Sequence, residues 1–193
     1  MNLWRQTMSI IFITGGARSG KSSFALQLAK NLGGKVAFIA TAQAGDEEMQ
    51  NRIRIHKRDR PNEWTTIEEP FDVESAIESA EGHNVVIIDC ITLLLSNLIC
   101  SSENFKDTSW IFTKIENLIE SAKKFVGTVI IISNEVGMGI VPENRLAREF
   151  RDLAGKANQM IANSADQVYV CFSGIPILIK SSGGIDGQNY FNA

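Results

Sequence analysis

The chain has 193 residues and a formal net charge of −3 at neutral pH. This favours a single globular domain over residues 1–193 and argues against nucleic acid as the main partner. The three cysteines, Cys90, Cys100 and Cys171, lack the spacing of a zinc site or a disulfide framework. We therefore expect reduced thiols in a cytoplasmic protein, and no membrane span because the apolar run near the N-terminus has only about six residues. Residues 1–8 and 181–193 are expected to be flexible.

The first two predicted elements flank a glycine-rich loop. The β-branched and aromatic run Ile10–Ile13 predicts a buried strand, and apolar residues from Phe24 to Leu32 recur at helical spacing. Between them stands a full match to G-x-x-x-x-G-K-[ST], made of Gly15, Gly16, Ala17, Arg18, Ser19, Gly20, Lys21 and Ser22.

This order of strand, glycine loop and helix is the one that phosphate binding requires. The glycines let the backbone N–H groups turn inward, and the helix N-terminus adds partial positive charge. Lys21 would reach the outer phosphates, and the Ser22 hydroxyl would ligate Mg²⁺. The sequence therefore predicts a site for a nucleoside polyphosphate, with a chance glycine turn as the alternative.

The remaining elements alternate between strand and helix. Strands are predicted at Val36–Ala40, Val85–Asp89, Val129–Ile132, Val168–Phe172 and Ile177–Lys180, with Trp64–Glu68 either a short strand or an extended loop. Helices are predicted from Glu47 to about Asp59 behind the N-cap Asp46, behind the cap Asp72, over Ile91–Ile99 and over Ser109–Phe125. A last helix is predicted behind Pro142 as a first helical residue, with Leu146 on its apolar face. Gly174–Pro176 is predicted to be a turn, and the polar stretch Cys100–Thr108 a mobile surface loop.

These elements predict an α/β fold with a mainly parallel sheet and helices on both faces, since the strands are almost entirely apolar. Ligands then bind at the carboxyl ends of the strands. The glycine loop, Thr41, Asp89 and the loop Asn134–Val141 all fall at that edge.

Two further residues are candidates for chemistry. Asp89 ends an apolar strand, which is the position of a Mg²⁺-holding acid beside a phosphate loop; the alternative is an ordinary turn residue. His56 lies near a helix C-terminus among Arg52, Lys57, Arg58 and Arg60, a basic group suited to phosphate oxygens, so it is either a nucleophile toward phosphorus or a surface histidine.

Four segments together resemble one enzyme family. GGARSGKS (15–22), RIRIHKRDRPNEWTTIEEP (52–70), NEVGMGIVPENRLAREFRDLAGKANQ (134–159) and SGIP (173–176) are similar to the bifunctional adenosylcobinamide kinase / adenosylcobinamide-phosphate guanylyltransferases of cobalamin biosynthesis. The resemblance runs from about Ile10 to Lys180. It implies a RecA-like P-loop fold, homotrimers, ATP and GTP as substrates, and adenosylcobinamide and its phosphate as the other reactants.

The resemblance also implies site residues. The histidine that forms a covalent phosphoramidate with GMP matches His56. Nucleotide-contacting positions match the loop 15–22 and Ala40, Thr41, Ala42, Lys57, Arg58, Asp59, Arg60, Glu68 and Asp89. Lys21 would act in the kinase step, and Ser22 and Asp89 would hold Mg²⁺.

Two other functions remain open from the residues alone. One is an ordinary P-loop small-molecule kinase in which His56 takes no part, and the other is a nucleotide-dependent switch. The sequence also leaves open whether ATP or GTP serves the kinase step, and whether the loop Asn134–Val141 lines the corrinoid cleft or a subunit interface.

Overall fold

The protein is described here from a computed structural model, covering residues 9–101 and 108–181, with only the backbone of Arg52. The predictions made for residues 1–8 and 182–193, and for most of the polar stretch 100–108, lie outside the described residues. Within the described part, Cys100 and Ser101 belong to a helix and Ser181 forms a β-bridge.

The described residues form seven strands in one sheet and six helices. The strands are β1 (Ser9–Gly15), β2 (Val36–Ala40), β3 (Thr65–Glu68), β4 (Val85–Asp89), β5 (Thr128–Ile132), β6 (Gln167–Phe172) and β7 (Ile175–Lys180). The helices are α1 (Lys21–Leu32), α2 (Glu47–Arg58), α3 (Val73–Ser79), α4 (Ile91–Ser101), α5 (Ser109–Lys124) and α6 (Arg145–Ser164).

The sheet has the order β3-β2-β4-β5-β1-β6-β7, in which only β7 is antiparallel to its neighbour. The prediction of a mainly parallel sheet in an α/β fold is confirmed. Within the segment Trp64–Glu68, Thr65–Glu68 forms a strand and Trp64 lies just before it. One strand, β5, separates β1 from β4, so the glycine loop and Asp89 lie on strands that are not direct neighbours.

Helices cover both faces of the sheet, as predicted. On one face, α1 packs Ala25 and Ala29 against residues such as Ile13 and Ile87. On the other, α3, α4, α5 and α6 bury apolar side chains against residues that include Phe12. The alternation of Phe12 and Ile13 between the two cores follows from the period-2 geometry of a strand.

The chain leaves β1 over one face toward β2 and leaves β5 over the other toward β6. Connections that diverge in this way open a crevice at the carboxyl ends of the strands. The predicted site residues at this edge therefore lie beside a crevice in which a ligand could bind.

Several predicted details differ from the structure. Leu32 and Leu146, expected on buried helix faces, are exposed, because each lies in a terminal turn beyond the packed part of its helix. The last long helix begins at Arg145 and not at Pro142, since the Asn144 side chain accepts a hydrogen bond from the Ala147 N–H and caps it there.

Two smaller predictions are also corrected. The turn before the last strand is Ser173–Gly174, so Ile175 and Pro176 already belong to β7. Asp72 precedes α3 but makes no side-chain bond to the helix backbone; its carboxylate instead accepts a hydrogen bond from the Ser75 hydroxyl.

Candidate active site

The glycine loop connects β1 to α1 in a conformation that only glycine tolerates at its two ends. Gly15 has φ 147° and Gly20 has φ 91°. A Cβ at residue 15 would lie 2.5 Å from the Cys171 carbonyl oxygen, and one at residue 20 would lie 2.8 Å from Gly174 Cα. Both glycines are therefore required by backbone conformation and by close packing.

Two neighbouring segments hold this loop in place. The Gly174 N–H donates to the Ser19 carbonyl at 2.9 Å, and the Glu135 N–H donates to the Gly15 carbonyl at 3.0 Å. The loop after β5 and the turn after β6 thus support the glycine loop from two sides. At its tip, Ala17 and Arg18 are exposed.

Lys21 and Ser22 begin α1 directly beneath the loop. Lys21 is buried, an uncommon state for lysine, and its Nζ donates to the Gly16 carbonyl at 3.1 Å. Ser19 is also buried, and its Oγ has no hydrogen-bond partner within the described residues. The loop therefore holds a positive charge and a free polar group where an anion would bind.

Asp89, at the end of β4, meets these residues across the crevice. The Ser22 hydroxyl donates a hydrogen bond to its carboxylate. Burial raises the pKa of Asp89, while the nearby charges of His56, Lys21 and Arg60 and the Ser22 bond act in the opposite direction. The structure thus brings Ser22, Lys21 and Asp89 together as the sequence predicts for a metal–phosphate site.

Thr41 fixes the chain that follows Asp89. Its fully buried hydroxyl donates to the Cys90 carbonyl and accepts from the Cys90 N–H, both at 2.8 Å. Asn97 in turn donates to the Thr41 carbonyl at 2.8 Å. Ala40 is buried and Ala42 is half-buried on either side of Thr41. The segment therefore holds the end of β4 in position.

His56 lies in the last turn of α2, a helix that the Asp46 side chain caps by accepting from the Met49 N–H. Its side chain is exposed, yet its charge acts on the half-buried Asp89 carboxylate. An imidazole and the acid beside the glycine loop therefore share one crevice. The exposed ring is open to a ligand bound there.

The basic residues after His56 divide between two roles. Lys57 forms an ion pair with Glu68 on β3. Arg60 packs its guanidinium 3.6 Å from the centre of the Phe38 ring. Arg58 and Asp59 are exposed at the end of α2.

Arg60 carries a charge that burial disfavours. Burial lowers its pKa, and the carboxylates of Asp89 and Glu68 oppose that effect. Its Nε and Nη1 are buried and have no hydrogen-bond partner within the described part of the chain. A guanidinium in this state is prepared to bind an anion placed in the crevice.

The residues present fit Mg²⁺ bound together with a nucleotide. The adjacent Ser22 hydroxyl and Asp89 carboxylate are oxygen ligands of the kind Mg²⁺ prefers, and it normally completes its shell with water and substrate phosphates. Among the described residues, no group of three or more His, Cys, Asp or Glu side chains forms a metal site by itself.

The fold is that of an α/β protein with a mainly parallel sheet, and the loop after β1 is consistent with the P-loop type. A family model described as cobinamide kinase / cobinamide phosphate guanyltransferase matches residues 11–179. The chain belongs to this family of bifunctional kinases and guanylyltransferases.

Curated relatives give the same result. The chain is 40% identical over 181 residues to the bifunctional adenosylcobalamin biosynthesis protein CobU of Escherichia coli strain K12, covering 89% of the chain and 99% of that protein. It is 41% identical over 169 residues to CobP of Pseudomonas aeruginosa, covering 87% and 95%. CobU of Salmonella typhimurium is 40% identical, covering 89% and 99%. The predicted family is confirmed.

Sequence reasoning missed how the site is supported. The stacking of Arg60 on Phe38 joins a loop residue to the middle of a strand, and no local pattern indicates it. The Thr41–Cys90 bonds join residues 49 positions apart. The contact of Gly174 with the glycine loop had one signal, the SGIP segment within the family resemblance.

Proposed function

We propose that this chain carries out both reactions of its family, phosphorylating adenosylcobinamide and then transferring GMP to the product, with GMP carried covalently on His56. The observation that carries the proposal is that one crevice holds both a glycine loop with a buried lysine and an accessible histidine whose charge reaches Asp89. The first group suits phosphoryl transfer, and the second suits nucleophilic attack.

In the kinase step, the terminal phosphoryl group of ATP or GTP passes to the hydroxyl of adenosylcobinamide. The P–O bond to the β-phosphate breaks, a P–O bond to the substrate forms, and the hydroxyl proton is released. The loop N–H groups and Lys21 would neutralise charge that develops on the phosphate oxygens. Mg²⁺ bound by Ser22 and Asp89 would supply further neutralisation of that charge.

In the transferase step, an imidazole nitrogen of His56 attacks the α-phosphorus of GTP. A P–N bond forms, and the bond to the β-phosphate breaks with loss of pyrophosphate. A phosphate oxygen of adenosylcobinamide phosphate then attacks the same phosphorus, and the P–N electron pair returns to the imidazole. The product is adenosylcobinamide-GDP. In this proposal Arg60, stacked on Phe38, and Lys57, paired with Glu68, would hold the phosphate oxygens during both transfers.

The rest of the site has supporting roles in this proposal. The nucleotide contacts come from residues 15–22, from Ala40–Ala42, from Lys57–Arg60, and from Glu68 and Asp89. The reactions need nucleoside triphosphates, which fits a cytoplasmic location.

We also propose a homotrimer. Exposed apolar side chains line one face of the β6–β7 hairpin, among them Phe172, Ile175 and Ile177. Patches of this kind commonly mark protein contacts.

None of the helices in the described part of the chain has the length and apolar character of a membrane span.

The experiment uses two variants and separates the two steps. Lys21→Ala should abolish phosphorylation of adenosylcobinamide. His56→Asn should leave phosphorylation intact and reduce formation of adenosylcobinamide-GDP on the order of 10³-fold or more, as expected for a lost nucleophile. Both products are resolved by chromatography of the corrinoids.

The matched control is His83→Asn. His83 is the chain's other histidine and is held by the Ala80 carbonyl and the Thr65 hydroxyl, away from the crevice. If His56→Asn forms the GDP adduct as fast as His83→Asn, the chain is a small-molecule kinase in which His56 takes no part.

A further inference from the structure

The loop that connects β5 to α6 begins between the two halves of the phosphate site. In the sheet, β5 lies between β1, which leads into the glycine loop, and β4, which ends at Asp89. Ile132 at the end of β5 is level with both Ile13 and Asp89. The chain that leaves β5 therefore emerges between the glycine loop and Asp89. Its third residue past Ile132 is Glu135, a carboxylate that has no part in the reactions described so far.

The backbone of Glu135 is joined to the glycine loop beside Lys21. The Glu135 N–H donates to the Gly15 carbonyl at 3.0 Å, and the next carbonyl along the loop, that of Gly16, accepts from Lys21 Nζ at 3.1 Å. Two adjacent carbonyls thus hold Glu135 and the lysine that would neutralise the transferred phosphoryl group. The carboxylate is therefore attached within the phosphate site itself.

The residues on either side of Glu135 are also held in place. The Asn134 side chain donates to the Thr92 hydroxyl at 2.7 Å, and the Asn134 carbonyl accepts from the Asn158 side chain at 3.2 Å. Val136 packs against the core beneath α6. Glu135 thus has a fixed position, although the loop beyond it is exposed.

The Glu135 side chain is oriented by Gly137. Its Oε1 accepts a hydrogen bond from the Gly137 N–H at 2.7 Å. A Cβ at residue 137 would lie 2.9 Å from this oxygen, so a glycine there leaves room for the bond. Among the described residues, the other carboxylate oxygen makes no hydrogen bond or ion pair. One oxygen therefore orients the group, and the second is open to a substrate.

Two other carboxylates at this edge already have partners. Glu68 is paired with Lys57, and Asp89 accepts a hydrogen bond from the Ser22 hydroxyl and would hold Mg²⁺. A carboxylate beside a cation is a weak proton acceptor, because the positive charge favours its ionised form. Glu135 has no such partner in the described part of the chain, so it is the carboxylate best suited to take a proton here.

We propose that Glu135 is the general base of the kinase step. Its carboxylate accepts the proton of the adenosylcobinamide hydroxyl while the hydroxyl oxygen bonds to the γ-phosphorus. The bond from that phosphorus to the β-phosphate breaks, and its electron pair leaves on the nucleoside diphosphate. The proton then passes from Glu135 to solvent. This inference rests on the proposed function, since it names the group that takes the proton in its first step.

The test removes the base and keeps the shape of the side chain. Glu135→Gln retains an oxygen that can accept from the Gly137 N–H, but its amide cannot take up the proton. The kcat for phosphorylation of adenosylcobinamide should fall about 10²-fold or more. The KM for ATP, and the rate at which GTP guanylylates His56 without corrinoid, should stay within twofold of the wild type.

Glu143→Gln is the matched control, because it makes the same change at an exposed position of the same loop. It should leave the phosphorylation rate unchanged. A Glu135→Gln variant that phosphorylates the corrinoid as fast as Glu143→Gln would overturn the inference. A parallel loss of phosphorylation and guanylylation would also overturn it, since that result would show a structural role.

A magnesium titration separates a base from a metal ligand. The loss of rate in Glu135→Gln should persist at saturating Mg²⁺, and recovery of the rate at high Mg²⁺ would overturn the inference by showing that Glu135 holds the cation. Failure of the unsubstituted enzyme to phosphorylate adenosylcobinamide would instead refute the proposed kinase step, so the two failures are distinguishable.

Discussion

Asp89 is a residue whose burial and charge oppose each other. Burial raises its pKa, and the four neighbouring groups that favour the ionised carboxylate do not fully offset this. The same carboxylate must be ionised to hold Mg²⁺. Ionisation of Asp89 in the free enzyme is therefore disfavoured, and a bound cation would offset that cost.

This predicts a pH-dependent effect of Asp89→Asn on stability. Below the ordinary aspartate pKa of about 4, Asp89 is protonated in both the folded and unfolded states, so it adds no pH dependence to the free energy of unfolding. As the pH rises, the unfolded state ionises first, so the wild type loses stability that Asp89→Asn keeps. In urea denaturation with a chelator present, the free energy of unfolding of Asp89→Asn should rise relative to that of the wild type from pH 4 to pH 8. A difference between the two free energies that does not change with pH would contradict this prediction.

Thr41 supports the site through its hydroxyl. Thr41→Val removes the acceptor of the buried Cys90 N–H, and an unpaired buried donor costs about 1–3 kcal/mol. Thr66→Val, at an exposed position on β3, is the matched control and should have little effect on the free energy of unfolding. Equal stabilities of the two variants in urea denaturation would show that the Thr41 bonds contribute nothing.

At the scale of elements, the sequence predicts well which segments form helices and strands, but it predicts the ends of these elements poorly. The bounds of Val36–Ala40 and Val85–Asp89 match the structure because unbroken apolar runs fix buried parallel strands. Leu32 and Leu146 fit a helical period but are exposed, since periodicity does not show where the sheet beneath a helix stops. Pro142 fits a first helical residue, yet Asn144 supplies the side-chain cap and decides the start.

The junction of the glycine loop with the β6–β7 turn gives a prediction at this scale. Gly20→Ala adds a Cβ 2.8 Å from Gly174 Cα at a residue with φ 91°, so it should destabilise the fold by about 1–3 kcal/mol. Gly155→Ala, within α6 and with open space around the added Cβ, should stabilise it by up to about 1 kcal/mol. A shift of the thermal unfolding midpoint in the same direction in Gly20→Ala and Gly155→Ala would contradict this account of the junction.

At the scale of the whole molecule, the fold class and family were predictable from sequence. The motif Gly15–Ser22 between a strand and a helix, and the family segments, were enough for that. The stacking of Arg60 on Phe38 was not predictable, because long-range contacts depend on strand order.

The proposed trimer is also tested at this scale. Ile177→Ser, on the apolar face of the hairpin, should lower the mass found by sedimentation equilibrium at micromolar concentration. Val126→Ser changes an exposed apolar residue just before the central strand β5, outside the hairpin, and should leave the mass unchanged. A monomeric wild type, or identical masses for the two variants, would contradict a contact through the hairpin.

The covalent intermediate is the central claim, and labelling with GTP radioactive at the α-phosphate tests it most directly. Without corrinoid, the wild type and His83→Asn should retain label that survives denaturation, is released by acid, and maps to the peptide containing His56. His56→Asn should retain none. Equal labelling of His56→Asn, or no labelling of the wild type, would contradict the two-step transfer.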